Sequence, residues 1–286
     1  LYAINSKTKI KNFIIDGEVF GLKFKSHWKR KYDVPKTTSH DIQLFNPNIE
    51  IANILKFNNP KKFSGNIFIS YLNDKMHYNF RFDNGKIYIL SPDKKNTNFN
   101  IASKIQLNPF YFNGELVIKN KKIENVIDNI LINMFLYDEN YLGNFNGLLN
   151  VKFNDLKNKL IKNGEINFAI SEKKINSKEA KFTLDKIGMI NSSMSFIEDQ
   201  GEIKFVSKNL LNIENHIQFA KIFQIGSKKI KNIKFLNFDV EKIYGNKQVI
   251  ISNIMINNNK NKKKNDQVFL ISNIQNLRSN IRKIID

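Results

Sequence analysis

The length, composition and charge of this chain exclude several classes of protein. Its 286 residues are enough to bury a substantial core, and 41% of them are hydrophobic, which is too many for a disordered polymer. No stretch approaches the ~18 consecutive apolar residues of a membrane-spanning helix. The absence of cysteine excludes disulfides and thiolate metal sites.

The formal net charge of +20 comes mainly from lysine, because the only arginines are Arg30, Arg81, Arg278 and Arg282. Surfaces that bind nucleic acid favour arginine forks and stacked aromatic rings. We therefore interpret the lysines as residues at surface positions that accept many residue types, and we do not expect nucleic acid as a partner. The chain begins with Leu1 rather than Met, and we interpret it as a fragment whose start and membrane anchor lie upstream.

Residues 1–109 are predicted to form β-hairpins that continue a larger sheet. Apolar and polar residues alternate through 76–82, and Asn84-Gly85 supplies the positive φ values of a tight turn before the next strand. Asp16-Gly17 predicts a similar turn. Trp28, beside a run of basic residues, is interpreted as capping the end of a sheet rather than anchoring the chain in a membrane.

Residues 110–257 are predicted to form a second β region. Turns are predicted at Asn113-Gly114, Asn146-Gly147, Asn163-Gly164 and Gln200-Gly201. Two stretches switch to helical spacing, which predicts helices near 121–137 and 212–224. The second helix is predicted to place Ile213, Ile217 and Ala220 on its apolar stripe, with Phe219 and Phe223 flanking it.

The end of the chain is predicted to be less regular. Residues 258–266 read as a Lys/Asn linker, and residues 267–286 as a final strand with a basic amphipathic tail that is short for a membrane-surface helix. The predicted fold class is therefore mainly β: a long, curled, groove-like antiparallel meander with two or three short amphipathic helices.

No cluster of residues in the sequence indicates catalysis. The four histidines (His27, His40, His77 and His216) are far apart and have no partner at metal-ligand spacing. None of the common nucleophile, phosphate-binding, dinucleotide or zinc-protease motifs occurs. We expect no enzyme activity, no metal and no cofactor.

Between residues 143 and 207, short alternating strands are predicted to share one apolar face. We propose from the sequence that this face is a lipid-holding trough, because the chain has too little helix to cover so much sheet. The predicted lining residues are Leu149, Val151, Phe153, Ile166, Phe168, Ile170, Phe182, Leu184, Phe196, Ile203 and Phe205. The alternative is that these residues form the closed core of a structural or protein-interaction module.

Residues 110–257 resemble the C-terminal region of AsmA-like proteins. The order of elements carries the resemblance, since the individual motifs are β-repeats with few distinctive residues. The matching segments are 112–119, the helix at 121–137, then 141–153, 163–168, 184–188, 191–195, the short helix at 217–225 and the basic step at 228–231. Residues 1–109 have a comparable β-repeat pattern but match no distinctive motif of that family. The family's N-terminal membrane anchor is absent from the sequence.

The resemblance implies a periplasmic protein tethered to the inner membrane of a Gram-negative bacterium. Proteins of that family have a long curled sheet whose hydrophobic concave face is thought to support lipid traffic to the outer membrane or its assembly. The expected partners are therefore phospholipid or another envelope lipid, and the membrane through an N-terminal anchor.

Overall fold

The computed structural model describes most of the chain. The described residues are 2–5, 10–19, 22–31, 37–45, 48–59, 61–71, 74–92, 98–121, 146–157, 160–171, 174–199, 202–226, 230–243, 248–257, 259–260, 267–270 and 274–285. The fold is mainly β, with 77% strand in mostly antiparallel pairing and only two short helices in the described part, which confirms the predicted fold class. The helix predicted near 121–137 and most of the linker at 258–266 lie outside the described residues.

The chain divides into two compact units. The first comprises Leu1–Val151 and Ile170–Lys173, and the second comprises Lys152–Ala169 and Lys174–Asp286. The division falls near residue 151. The chain is continuous within the first unit around residue 109, because the strand that starts at Phe110 pairs with the preceding strand, and the Phe112 N–H also donates to the Asn146 carbonyl oxygen at 2.9 Å.

The first unit is an antiparallel meander in which the first ten strands pair in chain order, from β1–β2 to β9–β10. Its strands are β1 (Tyr2–Asn5), β2 (Ile10–Val19), β3 (Leu22–Lys31), β4 (Thr37–Phe45), β5 (Asn48–Asn59), β6 (Lys62–Tyr71), β7 (Asp74–Asp83), β8 (Lys86–Leu90), β9 (Phe99–Leu107), β10 (Phe110–Lys119) and β11 (Gly147–Asn154), whose last residues belong to the second unit. The predicted Asn84-Gly85 turn joins β7 to β8, and both residues have positive φ, 48° and 77°.

Three glycines that were predicted to form turns lie inside strands instead. Gly17 is in β2, Gly114 is in β10, and Gly164 is in β12 (Ile161–Ser171). A Cβ added at Gly114 would lie 2.5 Å from the ring of Phe112, and one at Gly164 would lie 2.5 Å from the ring of Phe182. The turn predictions were wrong because these glycines make room for an aromatic ring across the sheet surface.

The second unit is built on a further antiparallel series. Its strands are β13 (Lys174–Leu184), β14 (Gly188–Asp199), β15 (Glu202–Ile213), β16 (Phe235–Ile243), β17 (Gln248–Ile256), β18 (Asn259–Lys260) and β19 (Gln267–Leu270). Strands β13 to β17 pair in chain order, and both β18 and β19 pair with β17. The predicted linker thus contributes a short strand at Asn259–Lys260.

Helix α1 (His216–Phe223) covers part of the second unit's sheet. Asn215 caps its start, because the Asn215 Oδ1 accepts a hydrogen bond from the Gln218 N–H at 3.0 Å. The helix therefore begins later than the predicted residue 212. Phe219, Ala220 and Phe223 are buried, whereas Ile217 is 77% exposed. The predicted apolar stripe was therefore right at Ala220 and wrong at Ile217.

Helix α2 (Ile274–Ile285) is the observed form of the predicted amphipathic tail. It contacts α1, and Ile281 and Ile285 pack against the buried core that contains Phe219, Leu236 and Ile254. The tail therefore has a partner surface within its own unit. Within the described part of the chain, neither helix has the length and apolar character needed to cross a bilayer.

Candidate functional site

The predicted trough residues fall into two groups by burial. Six of them are at most 4% exposed: Val151, Phe153, Ile166, Phe168, Ile170 and Leu184. Four are half-buried: Leu149, Phe182, Phe196 and Phe205. The side chain of Ile203 lies outside the described residues. In this structure the first group therefore packs as core, and only the second group keeps contact with solvent.

The structure brings some of these residues together within the second unit. Phe196 lies opposite Phe205 in the β14–β15 register, with their ring centroids 5.2 Å apart. The Phe153 and Phe182 ring centroids are 6.4 Å apart. Leu184 instead belongs to the core cluster that α1 covers. The predicted face is thus covered by a helix at Leu184 and is more accessible around Phe196 and Phe205.

A more continuous apolar surface lies on the first unit. Residues opposite one another in an antiparallel pair point to the same face, so the registers of β2 to β10 assign side chains to two faces. One cross-strand row on β6 to β10 consists of Phe63, Phe82, Ile87, Ile105 and Phe112. Another row on β4 to β7 consists of Ile42, Ile51, Ile69 and Met76. We call the face that carries these rows the apolar face.

The opposite face, which we call the polar face, has a different composition. One cross-strand row on β3 to β7 consists of Lys25, Gln43, Glu50, Ser70 and Lys75. These residues neighbour the apolar-face residues along each strand, because side chains alternate between the two faces. This row is polar, but the same face also carries exposed hydrophobic side chains, namely Phe45, Ile54, Phe68, Leu90 and Tyr111.

Much of the apolar face retains contact with solvent. Phe13 is 42% exposed and Ile15 is 37% exposed, and most of the other apolar-face residues are half-buried. Five hydrophobic residues are exceptions, since they are at most 9% exposed: Leu55, Tyr78, Phe80, Phe99 and Ile118. The described residues of the first unit contain no helix, in contrast to those of the second unit. The apolar face is thus more accessible than the trough residues predicted from the sequence.

A polar cluster interrupts the apolar face on β3, β4 and β5. The Ser26 Oγ lies 2.7 Å from the His40 Nε2, and the Trp28 Nε1–H donates a hydrogen bond to the Ser26 Oγ at 3.0 Å. The Trp28 ring stacks on His40 with ring centroids 3.7 Å apart, so Trp28 does not cap the sheet end as predicted. The Asn53 amide lies 3.5 Å from the His40 Nδ1.

Burial dominates the electrostatics of this cluster. It lowers the pKa of His40 to about 4, against a smaller opposing effect of Asp41. His40 is therefore neutral at pH 7. Ser26 is only 3% exposed, so its hydroxyl group is enclosed by its neighbours and is not accessible to a substrate in this conformation.

A second polar cluster involves β7 and residues next to the ends of β9 and β10. The Lys121 Nζ forms an ion pair with Asp74 at 2.5 Å, and the Asn98 amide donates to the same carboxylate at 3.4 Å. The Tyr78 hydroxyl donates to the Phe99 carbonyl oxygen at 3.2 Å. Burial and, to a smaller extent, the charge of Asp74 raise the pKa of Tyr78 to about 12. Asp74 is thus neutralised locally by Lys121.

The sequence contained part of the signal for the apolar face, because residues 76–82 alternate as clearly as the predicted trough does. The polar cluster had no such signal, since Ser26 and His40 meet only through the β3–β4 register. In the described part of the chain, no group of His, Asp and Glu residues could hold a metal ion.

Comparison with known proteins adds no family assignment. No protein-family model matches the chain, and no curated protein or solved structure matches it. The AsmA-like resemblance therefore contributes an expectation about function. The distribution of side chains on the two faces of the first unit is a basis for a functional proposal that does not depend on this resemblance.

Proposed function

We propose that the apolar face of the first unit binds the acyl chains of a lipid, and that the protein is a non-enzymatic component of bacterial envelope lipid transport or outer-membrane assembly. The observation that carries the proposal is the cross-strand register, which gathers aromatic and aliphatic side chains from β2 to β10 on one face. The alternate residues of the same strands lie on the polar face.

The free energy of hydration supports this assignment. Each 100 Å² of apolar surface left in water costs roughly 2.5 kcal/mol relative to burial. A face with half-buried Phe63, Phe82 and Phe112 and with Phe13 at 42% exposure therefore gains stability from an apolar occupant. Acyl chains supply such an occupant without requiring hydrogen bonds.

The dimensions are compatible with a lipid. Strands β6 and β7 each contain 10 residues, and a strand of this length spans roughly 33 Å. One leaflet of a bilayer's hydrocarbon core is about 15 Å thick, half of the whole core. The strands are thus longer than an extended acyl chain, so a tail can lie on the apolar face throughout its length.

The cellular setting of the proposal comes from the AsmA-like resemblance. We place the protein in the periplasm, tethered to the inner membrane of a Gram-negative bacterium. The partner is then phospholipid or another envelope lipid. The burial of Phe168 and Ile170 favours a second candidate for the region near 151–184, namely a structural or protein-interaction module with no lipid groove.

The test compares matched substitutions on the two faces. One variant carries Phe13→Asp and Ile15→Asp on the apolar face, where the native residues are 42% and 37% exposed. The control carries Phe45→Asp and Ile54→Asp on the polar face, where the native residues are 52% and 44% exposed. Because all four positions are partly solvated, both variants are expected to fold.

Each protein is incubated with phospholipid vesicles, re-isolated and analysed by mass spectrometry for bound lipid. We expect the apolar-face variant to lose about tenfold in bound lipid, since a carboxylate is costly beside an acyl chain, while the control matches wild type. Circular dichroism and thermal unfolding confirm that both variants are folded. Wild-type protein without bound lipid, or equal losses in the two variants, would contradict the proposal and favour the structural module.

A further inference from the structure

Charge is distributed unevenly over the polar face of the first unit. One cross-strand row on β5 to β9 consists of Lys56, Ser64, Arg81, Tyr88 and Lys104. A neighbouring row contains Lys62, Asp83, Lys86 and Gln106, and the row on the other side contains Lys29. We call the six basic residues of these three rows the basic patch: Lys29, Lys56, Lys62, Arg81, Lys86 and Lys104.

Few acidic side chains accompany the basic patch. In its three rows the described acidic side chains are Glu115 and Asp83, and Asp83 forms an ion pair with Lys62 at 3.7 Å. The other half of the polar face is balanced, because four basic and four acidic described side chains lie there. They are Lys23, Lys25, Lys75 and Lys119 against Asp16, Glu18, Asp41 and Glu50. A general excess of lysine would load both halves alike, so the asymmetry belongs to this arrangement of the sequence on the sheet.

The cations of the central row lie on every second strand. Lys56 is on β5, Arg81 on β7 and Lys104 on β9, so their backbones are about 10 Å apart at the ~4.8 Å spacing of neighbouring strands. This separation is close to the Debye length of about 10 Å at 0.1 M salt, so their potentials add. Within the described part of the chain, Lys29, Lys56 and Lys104 form no ion pair. Their charge is therefore presented to solvent.

Exposed hydrophobic side chains lie beside the basic patch on the same face. Leu90 is 54% exposed and Ile54 is 44% exposed, and both are in the row that contains Lys29. Tyr111 is 41% exposed in the row that contains Lys86. A phospholipid surface accommodates both kinds of group, because ammonium groups contact the phosphates while apolar side chains enter the boundary between headgroups and acyl chains.

A nucleic acid fits this surface less well. Arginine forks and rings that are free to stack are the groups that favour nucleic acid. The only arginine of the basic patch is Arg81, and its guanidinium group lies over the Tyr88 ring, 4.7 Å from the centroid. The aliphatic side chains of Ile54 and Leu90 offer no stacking surface for a base.

We propose that the basic patch docks the first unit onto the headgroup surface of an anionic phospholipid membrane. This inference goes beyond the proposed function, because it concerns the polar face and not the apolar face. Docking through the polar face directs the apolar face away from that surface, so membrane docking and acyl-chain binding use different residues. The lysines supply the attraction to anionic headgroups, and Ile54 and Leu90 supply apolar contact at the same surface.

The test uses two variants that lose the same charge from the same face. The basic-patch variant carries Lys29→Gln, Lys56→Gln, Arg81→Gln and Lys104→Gln, and the control carries Lys23→Gln, Lys25→Gln, Lys75→Gln and Lys119→Gln. All eight native side chains are exposed, and each variant lowers the formal net charge by four. A third variant, Ile54→Ser with Leu90→Ser, keeps every charge. Thermal unfolding checks that all three remain folded.

Sedimentation with vesicles measures the partition coefficient of each protein at about 0.15 M salt, where the Debye length is about 8 Å. One set of vesicles is phosphatidylcholine, and the other contains equal amounts of phosphatidylcholine and phosphatidylglycerol. Each basic residue near an anionic surface contributes about fivefold to binding, so the basic-patch variant should lose on the order of 100-fold on the phosphatidylglycerol vesicles.

The control should stay within about threefold of wild type, because remote charges are screened at this salt concentration. Lys56 and Glu50 are six residues apart on β5, which places the balanced half roughly 20 Å from the central row of the basic patch. The Ile54→Ser, Leu90→Ser variant should lose about tenfold, since it forfeits apolar contact with the bilayer.

Four outcomes would overturn the inference. Wild type could fail to bind the phosphatidylglycerol vesicles, or could bind both sets of vesicles equally. Equal losses in the basic-patch variant and the control would assign binding to net charge and not to the basic patch. Binding of a labelled single-stranded oligonucleotide that is lost in the basic-patch variant, with vesicle binding unchanged in the Ile54→Ser, Leu90→Ser variant, would identify the partner as a nucleic acid.

Discussion

The Ser26 hydroxyl lies 2.7 Å from the His40 Nε2 on the apolar face of the first unit. The Ser26 Oγ also accepts a hydrogen bond from the Trp28 Nε1–H. Ser26, Trp28 and His40 are therefore all hydrogen-bonded when the Ser26 hydroxyl donates its hydrogen to the His40 Nε2. His40 then carries its proton on Nδ1. The Asn53 Oδ1 is one of the buried oxygen atoms without a hydrogen-bond partner in the described part of the chain. Rotating the Asn53 amide by 180° allows this oxygen to accept a hydrogen bond from the His40 Nδ1–H.

This arrangement predicts that stability depends on pH through His40. The pKa of His40 is about 4 in the folded protein, against 6.5 as its ordinary value. The unfolded chain therefore takes up a proton first as the pH falls. The contribution of His40 is fully present above pH 6.5 and is lost between pH 6.5 and pH 4, with an upper limit of about 3 kcal/mol.

Urea unfolding of wild type and of the His40→Phe variant between pH 7 and pH 4 measures this contribution. The phenyl ring retains the stacking on Trp28 but cannot titrate. We expect the variant to be less stable than wild type at pH 7 and to lose less stability on acidification. Parallel pH profiles for the two proteins would show that His40 is protonated equally in the folded and unfolded states.

Replacing Phe168 and Phe205 by aspartate should have different effects on folding. Phe168 is 3% exposed, and a carboxylate there should cost more than about 4 kcal/mol, so Phe168→Asp is expected not to fold. Phe205 is half-buried beside Phe196, and Phe205→Asp should cost about 1–2 kcal/mol. An open trough at both positions would instead leave both variants folded.

Circular dichroism and thermal unfolding distinguish these two outcomes. Phe205→Leu provides the control for the loss of the aromatic ring without a charge. A folded Phe168→Asp protein with a thermal midpoint near that of wild type would mean that the face around Phe168 opens to solvent, as the trough prediction required.

The sequence predicts the fold class better than it predicts the site, for physical reasons. Alternation of apolar side chains is a local property, so the strands around Tyr78 and Phe112 can be recognised one at a time. Burial depends on what covers a face, and Phe168 and Phe13 both follow an asparagine within a strand although they are 3% and 42% exposed. The contact between Ser26 and His40 depends on pairing between strands, which the sequence does not encode locally.

Glycine positions show the same limitation. Asn84-Gly85 and Asn163-Gly164 are identical dipeptides, yet the first is a turn and the second lies within β12. The difference lies across the sheet, where Phe182 occupies the space above Gly164. A dipeptide signal for a turn is therefore overridden when a neighbouring strand supplies an aromatic ring.

Two glycines with positive φ should respond differently to alanine. Gly188 has a φ of 153°, and a Cβ there would lie 2.0 Å from the Asn212 carbonyl oxygen. Gly85 has a φ of 77° and nothing within 4 Å of the added Cβ. Gly85→Ala should therefore cost about 1–2 kcal/mol from backbone strain alone. Gly188→Ala should cost at least about 3 kcal/mol, because the β14–β15 pairing must also shift.

Urea titration of the two variants gives these differences in free energy of unfolding. Unequal changes in the same direction are expected, with Gly188→Ala the larger. If Gly85→Ala were as destabilising as Gly188→Ala, the close approach of the Asn212 carbonyl would not be the deciding factor.

The two faces of α1 give the last prediction. Phe219 is fully buried in the core of the second unit, whereas Ile217 is 77% exposed two residues away. Phe219→Ala should reduce the free energy of unfolding by about 3–5 kcal/mol, since it leaves a cavity between the helix and the sheet. Ile217→Lys should change it by less than about 0.5 kcal/mol. Thermal and urea unfolding of both variants measure the effects, and a marked loss of stability in Ile217→Lys would show that this face of α1 is covered in solution by another part of the protein.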